Sequence, residues 1–183
     1  FKANCEEICL KYNSKGFDVL IIRPATVCGY SSRQRFDLVV NILTNLGINK
    51  KKITVFGGNQ LRPNIHMKDM VRAYLIILEK ESSLINGKIF NVGYDNQKVI
   101  ELAKIVKQTL NNDVEIVKTE TNDNRSYHIS SEKIKKELGF KNMHNIADAV
   151  KDLQNAFQLN LFNDSLNNEI YFNVKMMKKI KLQ

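Results

Sequence analysis

Asp18-Val19-Leu20-Ile21-Ile22-Arg23-Pro24 is a run of aliphatic and β-branched residues closed by a proline. The apolar stretch has no alternation, which suits a parallel strand covered on both faces, and the proline ends it because it cannot continue the ladder. Before it, Cys5, Ile8, Cys9 and Tyr12 recur at i, i+3, i+4 and i+7, so residues 1–15 read as a helix whose left-handed exit is Lys15-Gly16. Helix, tight loop and buried strand in that order predict an α/β fold built on a parallel sheet.

Working outward, a polar loop leads to a helix over 36–46 and a short strand over 52–56 that stops at Gly57-Gly58. A second extended piece surrounds Ile65. Asp69 is read as the cap of a helix with Met70, Ala73, Tyr74 and Ile77 on one face. A strand over 88–92 follows, then a helix with Val99, Leu102, Ala103, Val106 and Leu110 in register, and a strand over 114–117. Two more helices come next, one over 132–138 closed by Gly139 and one bearing Ile146, Ala149, Val150, Leu153 and Phe157 on a single face. The last twenty residues read as irregular, with Lys175, Lys178, Lys179 and Lys181 forming a solvated basic tail.

The composition excludes several classes. With 183 residues, 43% of them hydrophobic, the chain has material for a packed core and is neither disordered nor a multidomain machine. No apolar run approaches the roughly 20 residues of a membrane-spanning helix. The formal charge of +9 comes from lysine far more than arginine and forms no basic stripe interleaved with aromatics, so nucleic-acid binding is not expected. Cys5, Cys9 and Cys28 have neither CxxC nor Cys/His spacing, which argues against disulfides and zinc and for a reducing, cytoplasmic setting. His66, His128 and His144 read as structural or surface residues. Neither a GxGxxG turn nor a phosphate-binding loop occurs.

One succession carries more than its parts: Phe1-Lys2 opening a helix with Glu6 and Glu7, then Leu20-Ile-Ile-Arg-Pro-Ala-Thr-Val-Cys-Gly29, Ile53-Thr-Val-Phe-Gly-Gly58, Arg62-Pro-Asn-Ile-His-Met-Lys-Asp69 and Ile89-Phe-Asn-Val-Gly93. In this order the segments resemble the extended short-chain dehydrogenase/reductases, the NAD-dependent epimerase/dehydratase family acting on nucleotide sugars. The resemblance covers most of residues 1–160. It implies an α/β fold comprising the C-terminal part of a Rossmann-type parallel sheet plus the small α/β substrate-binding lobe. Residues 1–35 would be a late helix and strand of the NAD-binding domain, 36–160 mainly the nucleotide-sugar lobe with interleaved Rossmann elements, and 161–183 a tail.

The resemblance also implies roles. Lys2 matches the lysine of the Y-x-x-x-K motif, whose tyrosine would lie four residues earlier. Beside a tyrosine its ammonium favours the phenolate, and it can hydrogen-bond the nicotinamide ribose; without the motif it reads as a solvent-facing lysine. Pro24 and Ala25 would pass close to NAD. Thr26 stands where the family often has a substrate-binding Asn, and reads equally as a β-branched strand end. Arg62 would grip the substrate diphosphate with help from Asn91, while Val55 and Phe56 would border the base, Phe56 reading equally as core. Arg125, in Asp123-Asn-Arg-Ser-Tyr127, would reach the diphosphate or ribose; a surface arginine is the other reading. Of Arg33 and Arg35, Arg35 is preferred for substrate, with Asn41 facing the same crevice.

The implied activity is hydride transfer between NAD and a nucleotide-diphosphate sugar, at C4 by way of the Tyr/Lys pair, giving an epimerase, dehydratase or dehydrogenase. Lacking the glycine loop and the tyrosine, these 183 residues are expected to have no turnover by themselves. A homodimer through the first helix is expected of the longer protein. The other readings are a non-catalytic nucleotide-sugar-binding module and, behind it, a basic nucleic-acid-binding protein.

Overall fold

A computed structural model of the chain describes residues 1–13, 17–111, 113–122 and 125–181. The helix exit expected at Lys15-Gly16 lies outside them, as does Asp123. In order, the elements are α1 (Lys2–Asn13), β1 (Ile21–Pro24), β2 (Thr26–Cys28), α2 (Val39–Lys50), β3 (Lys52–Phe56), β4 (Leu61–His66), α3 (Met67–Leu78), α4 (Ser82–Ile85), β5 (Ile89–Val92), β6 (Asp95–Lys98), α5 (Val99–Thr109), β7 (Glu115–Thr119), α6 (Glu132–Leu138) and α7 (Ile146–Gln158). A 3-10 turn (Glu169–Tyr171) and α8 (Asn173–Lys179) finish the chain. The fold is α/β. β1 pairs in parallel with β5, β2 with β4 and β3 with β7, while β6 joins β4 antiparallel.

Two apolar clusters hold these pieces. One joins Val40 and Leu43 of α2, Ile53 and Val55 of β3, Leu102 and Val106 of α5 and Ala149 and Val150 of α7. The other joins Ala25, Ile65, Met70, Ala73, Phe90, Val92, Ile134 and Phe140. β2 stands between them, with Cys28 in the first cluster and Val27 packed against the second.

Three expectations need correction. β1 begins at Ile21, with Ile21 and Ile22 only half-buried and Arg23 and Pro24 exposed, because among the described residues β5 is its one hydrogen-bonded neighbour. The neighbouring α1, whose apolar stripe was read as left for a second copy, buries none of its residues, with Ile8 and Tyr12 exposed; Arg23 ties it to β1, Nε and Nη2 reaching Glu6 at 2.9 and 2.5 Å. Asp69 is not the cap of α3. That role belongs to His66, whose Nδ1 accepts from the Lys68 N–H at 3.1 Å, while Asp69 is buried. Residues 164–181 are not simply irregular: they hold the 3-10 turn and α8, and Phe36, Phe157, Phe162 and Tyr171 form an aromatic cluster that anchors them.

The His66 cap predicts a pH dependence. Nδ1 can accept only when unprotonated, so the neutral ring carries its hydrogen on Nε2, which lies 3.4 Å from Asp152 Oδ2. Burial lowers His66 below its ordinary value of 6.5, although the Asp152 carboxylate pulls the other way. The unfolded chain therefore takes up this proton first, so the contribution is complete above about pH 6.5 and declines as the pH falls through the folded value. The urea midpoint of the wild type should drop between pH 7 and 5, and less steeply in His66→Gln; equal slopes would contradict this role.

Candidate functional site

The site is built where β1 and β2 end. Ligand crevices in parallel α/β sheets open at the carboxyl ends of strands, and here Pro24-Ala25-Thr26 links two such strands. A cleft of about 490 Å³ opens at this turn. Six of the residues expected from sequence line it: Lys2, from the first turn of α1, then Pro24, Ala25, Thr26, Arg35 and Asn41. Tyr127 lines it as well, from a segment remote in sequence.

The loop between β2 and α2 forms one wall and is internally braced. Asn41 is buried; its Oδ1 accepts from the Gly29 N–H at 3.1 Å and its Nδ2 donates to the Arg35 carbonyl at 2.9 Å. The Asn41 amide thus shapes the wall from behind. Gln34 accepts from the Ser31 N–H and donates to the Arg35 carbonyl. Arg35 lies in a two-pronged ion pair with Asp37, Nε to Oδ1 at 2.9 Å and Nη2 to Oδ2 at 3.1 Å. Arg33 turns to the end of the chain, donating to the Ile170 carbonyl and to Asn173 Oδ1.

Gly29 starts this wall with φ +100°, a conformation that L side chains rarely adopt. Gly29→Ala is expected to destabilise the fold by roughly 1–3 kcal/mol, measured as a shift in the urea midpoint. An unchanged midpoint would show that the backbone relaxes without cost.

Arg62 and Arg125 meet beyond the cleft. Arg62 Nη1 donates to the Leu61 carbonyl at 3.0 Å and to the Arg125 carbonyl, and its guanidinium lies 5.6 Å from the centre of the Tyr127 ring. A second hollow, of about 710 Å³, opens past Ser126 and is lined by Gly57, Asn59, Gln60 and residues 118–122. The consecutive residues Ser126 and Tyr127 line different hollows, so this segment separates the two.

Phe56, beside Gly57 at the end of β3, is exposed, which removes its reading as core. Val55 is 1% exposed and belongs to the apolar core, so any ligand bordering this strand end would meet Phe56 and not Val55. Asn91 is on β5, where its Nδ2 reaches the Ser130 carbonyl at 3.3 Å; it does not line the cleft. Cys28 is packing and no nucleophile, because burial pushes its thiol up to about 12. Among the described residues no cluster of three or more His, Cys, Asp or Glu is placed to hold a metal.

Sequence reading gave Gln34 and Asp37 no role. Their side chains close local loops, and the signal was present as polar residues interleaved with Arg33 and Arg35.

The model of the NAD dependent epimerase/dehydratase family matches residues 1–93, half of the chain, including the α1 helix, the Pro24 turn, Arg35 and Arg62. The chain belongs to this family.

Solved structures agree in fold. UDP-glucose 4-epimerase from Thermotoga maritima, with UDP-glucose, matches at TM-score 0.76 and 24% identity over 88% of this chain and 53% of that one. dTDP-glucose 4,6-dehydratase from Streptomyces venezuelae, with NAD and TYD bound, gives 0.73 and 19% over 91% and 52%. The corresponding dehydratase from Bacillus anthracis, in complex with NAD, gives 0.71 and 20% over 95% and 53%. This epimerase/dehydratase-family chain spans about half the length of these structures.

Proposed function

We propose that this chain forms the nucleotide-sugar side of an NAD-dependent epimerase, dehydratase or dehydrogenase that oxidises a sugar carbon, C4 by the family resemblance. The observation that carries the reading is the convergence on one cleft of Lys2, the Pro24-Ala25-Thr26 turn and Arg35, which lie up to 33 positions apart in sequence.

The donor set of the cleft fits the nicotinamide end of NAD. Lys2 offers an exposed ammonium at a crevice formed by the ends of parallel strands, next to the rigid Pro24-Ala25 backbone. The residues of this chain contain no glycine-rich turn to cradle a pyrophosphate, so they are assigned only that end. When bound, NAD supplies the hydride acceptor. Lys2 holds the ribose and, by its charge, favours the phenolate of the Tyr/Lys pair, so that a proton can leave the sugar hydroxyl. Thr26 presents a hydroxyl to the sugar. Arg62 and Arg125 bring cations near the Tyr127 edge for the diphosphate, and Phe56 offers an exposed ring for the base. Binding energy from these unreacting parts orients the reacting carbon.

In this reading residues 1–35 serve the cofactor and 36–160 mainly the sugar nucleotide. A second copy covers α1, whose Ile8 and Tyr12 are exposed. The exposed free Cys5 and Cys9 fit a reducing, cytoplasmic setting. Among the described residues no helix is long and apolar enough to cross a membrane.

Calorimetric titration tests the binding half of this reading. UDP-glucose or dTDP-glucose should bind saturably, and Arg35→Ala should weaken binding about tenfold, the scale of one charge-assisted hydrogen bond. Failure of both to bind, or equal affinity in the variant, would contradict it.

A further inference from the structure

The end of the chain is built into the wall of the cleft. Ser165 is buried against α2, its carbonyl accepting from Asn45 Nδ2 at 2.9 Å and its hydroxyl donating to Asn45 Oδ1 at 2.7 Å. Tyr171 packs edge-on against the fully buried Phe36, with ring centres 5.2 Å apart, and its carbonyl accepts the Phe36 N–H at 2.9 Å. Two residues later the Asn173 N–H donates to Asp37 Oδ2 at 3.0 Å, on the same carboxylate that holds Arg35. The Asn173 side chain also receives Arg33 Nη2 at 3.1 Å. Residues 165–173 therefore grip both the backbone and the charged groups of the 31–37 loop, which also lines the cleft.

We infer that this C-terminal segment is a positioning element for the cleft: through its grip on Asp37 it fixes the Arg35 guanidinium in the orientation that meets the anionic part of a nucleotide sugar. The reading of the cleft given above supplies the ligand class on which this rests. Asp37 and Asn173 act through Arg35 and are positioning residues. The fork geometry explains why a carboxylate serves here. With Nε and Nη2 committed to Asp37, Arg35 is held planar and side-on, and Nη1 keeps its two hydrogens for an anion. The Asn173 N–H and the two Arg35 donors together immobilise Asp37, so Arg35 loses little further side-chain freedom when a ligand arrives.

The chain offers a low-strain way to delete the key contact. Asn173 is the first residue of α8, where proline is favoured, and Phe172 before it is already extended at φ −127°, ψ 100°. Asn173→Pro removes the N–H and the side-chain contact with Arg33; Asn173→Ala removes only the latter. The difference between them isolates the hydrogen bond to Asp37.

A second variant tests the sign. Asp37→Asn removes a negative charge beside the cleft, so bare electrostatics predicts tighter binding of an anion, whereas loss of positioning predicts weaker binding.

The experiment combines amide hydrogen exchange at Phe36 with titration of UDP-glucose, dTDP-glucose and inorganic pyrophosphate into each variant. The expected result is faster Phe36 exchange in Asn173→Pro than in Asn173→Ala, with affinity for the anion lowered about tenfold in both Asn173→Pro and Asp37→Asn. Unchanged exchange in Asn173→Pro, or tighter anion binding in Asp37→Asn, overturns the inference. If the wild type binds none of the three probes, the functional reading fails by itself and Phe36 exchange still decides whether the segment holds the loop.

Discussion

Asp69→Ala is expected to cost roughly 3–5 kcal/mol of stability, the range seen when a buried charged network loses one partner. Asp69 is completely buried at the start of α3, and its carboxylate joins this helix to the 143–144 segment before α7. Oδ2 accepts the N–H groups of Met143 and His144 at 3.0 and 2.8 Å, while Oδ1 meets Arg72 Nη1 at 3.0 Å and His144 Nδ1 at 3.2 Å. Alanine would leave two backbone donors, a guanidinium and an imidazole facing a void, and their desolvation would go uncompensated. For a chain of this size the loss corresponds to a melting temperature lower by roughly 10 °C. Asp69→Asn, which keeps the shape and one acceptor, should lose about half as much. Circular dichroism melts of the three proteins check both; an alanine variant within about 2 °C of wild type would remove the network from the account. Burial alone would raise the Asp69 carboxyl, but the donors from His144, Met143 and Arg72 outweigh it and hold it below its ordinary 3.8. A group lowered in this way stabilises the fold above the unfolded value, so this contribution is lost as the pH falls from about 3.8 through the folded value.

Lys2→Met should reduce kcat by roughly 10²–10⁴-fold in the catalytically competent protein, the usual scale for losing a group that supports proton transfer. KM for the sugar nucleotide should change little, because the groups assigned to its diphosphate and base are Arg35, Arg62, Arg125 and Phe56. The substitution is also a clean one. Lys2 is exposed in the first turn of α1, so the melting temperature should stay within a degree or two. A variant with wild-type kcat would return Lys2 to the status of a surface lysine. One that loses kcat together with stability would point instead to α1 itself, whose attachment depends on the Arg23–Glu6 pair.

Much of the fold was legible in the sequence wherever local pattern and tertiary role coincide. Residues 52–56 form β3 as read, bounded by Lys51 in a left-handed conformation at one end and the Gly57-Gly58 turn at the other. α5 and α7 follow their apolar stripes closely, and α6 ends at Gly139 with φ +72°. Elements whose existence depends on distant partners were less legible. β6, Asp95–Lys98, has no apolar pattern and is a strand only because it pairs with β4. α2 runs through Gly47 to Lys50, beyond the helix read over 36–46. The glycine is there because a Cβ would lie 2.8 Å from Leu110 Cδ1, a close packing that no local signal announces.

The candidate site divides in the same way. Lys2, Pro24, Ala25, Thr26, Arg35 and Asn41 come together because they lie on elements whose order was recognisable. Asn91 remains outside the cleft, and Val55 is turned into the core, because in a strand neighbouring residues face opposite sides and only one of Val55 and Phe56 can reach the surface. The C-terminal segment was misread for a physical reason as well: its anchors are single aromatic and amide contacts to Phe36 and Asn45, which leave no periodicity to detect.

The proposed ligand of the cleft between Lys2 and Arg35 is a nucleotide sugar. The most direct measurement is an amide NMR titration of the chain with UDP-glucose and dTDP-glucose, followed residue by residue. Saturable shifts are expected at Thr26, Gly29, Arg35 and Tyr127, with the saturation curve moved to about tenfold higher ligand in Arg35→Ala. Shifts confined to the lysine-rich residues 175–181, or none at millimolar ligand, would contradict it.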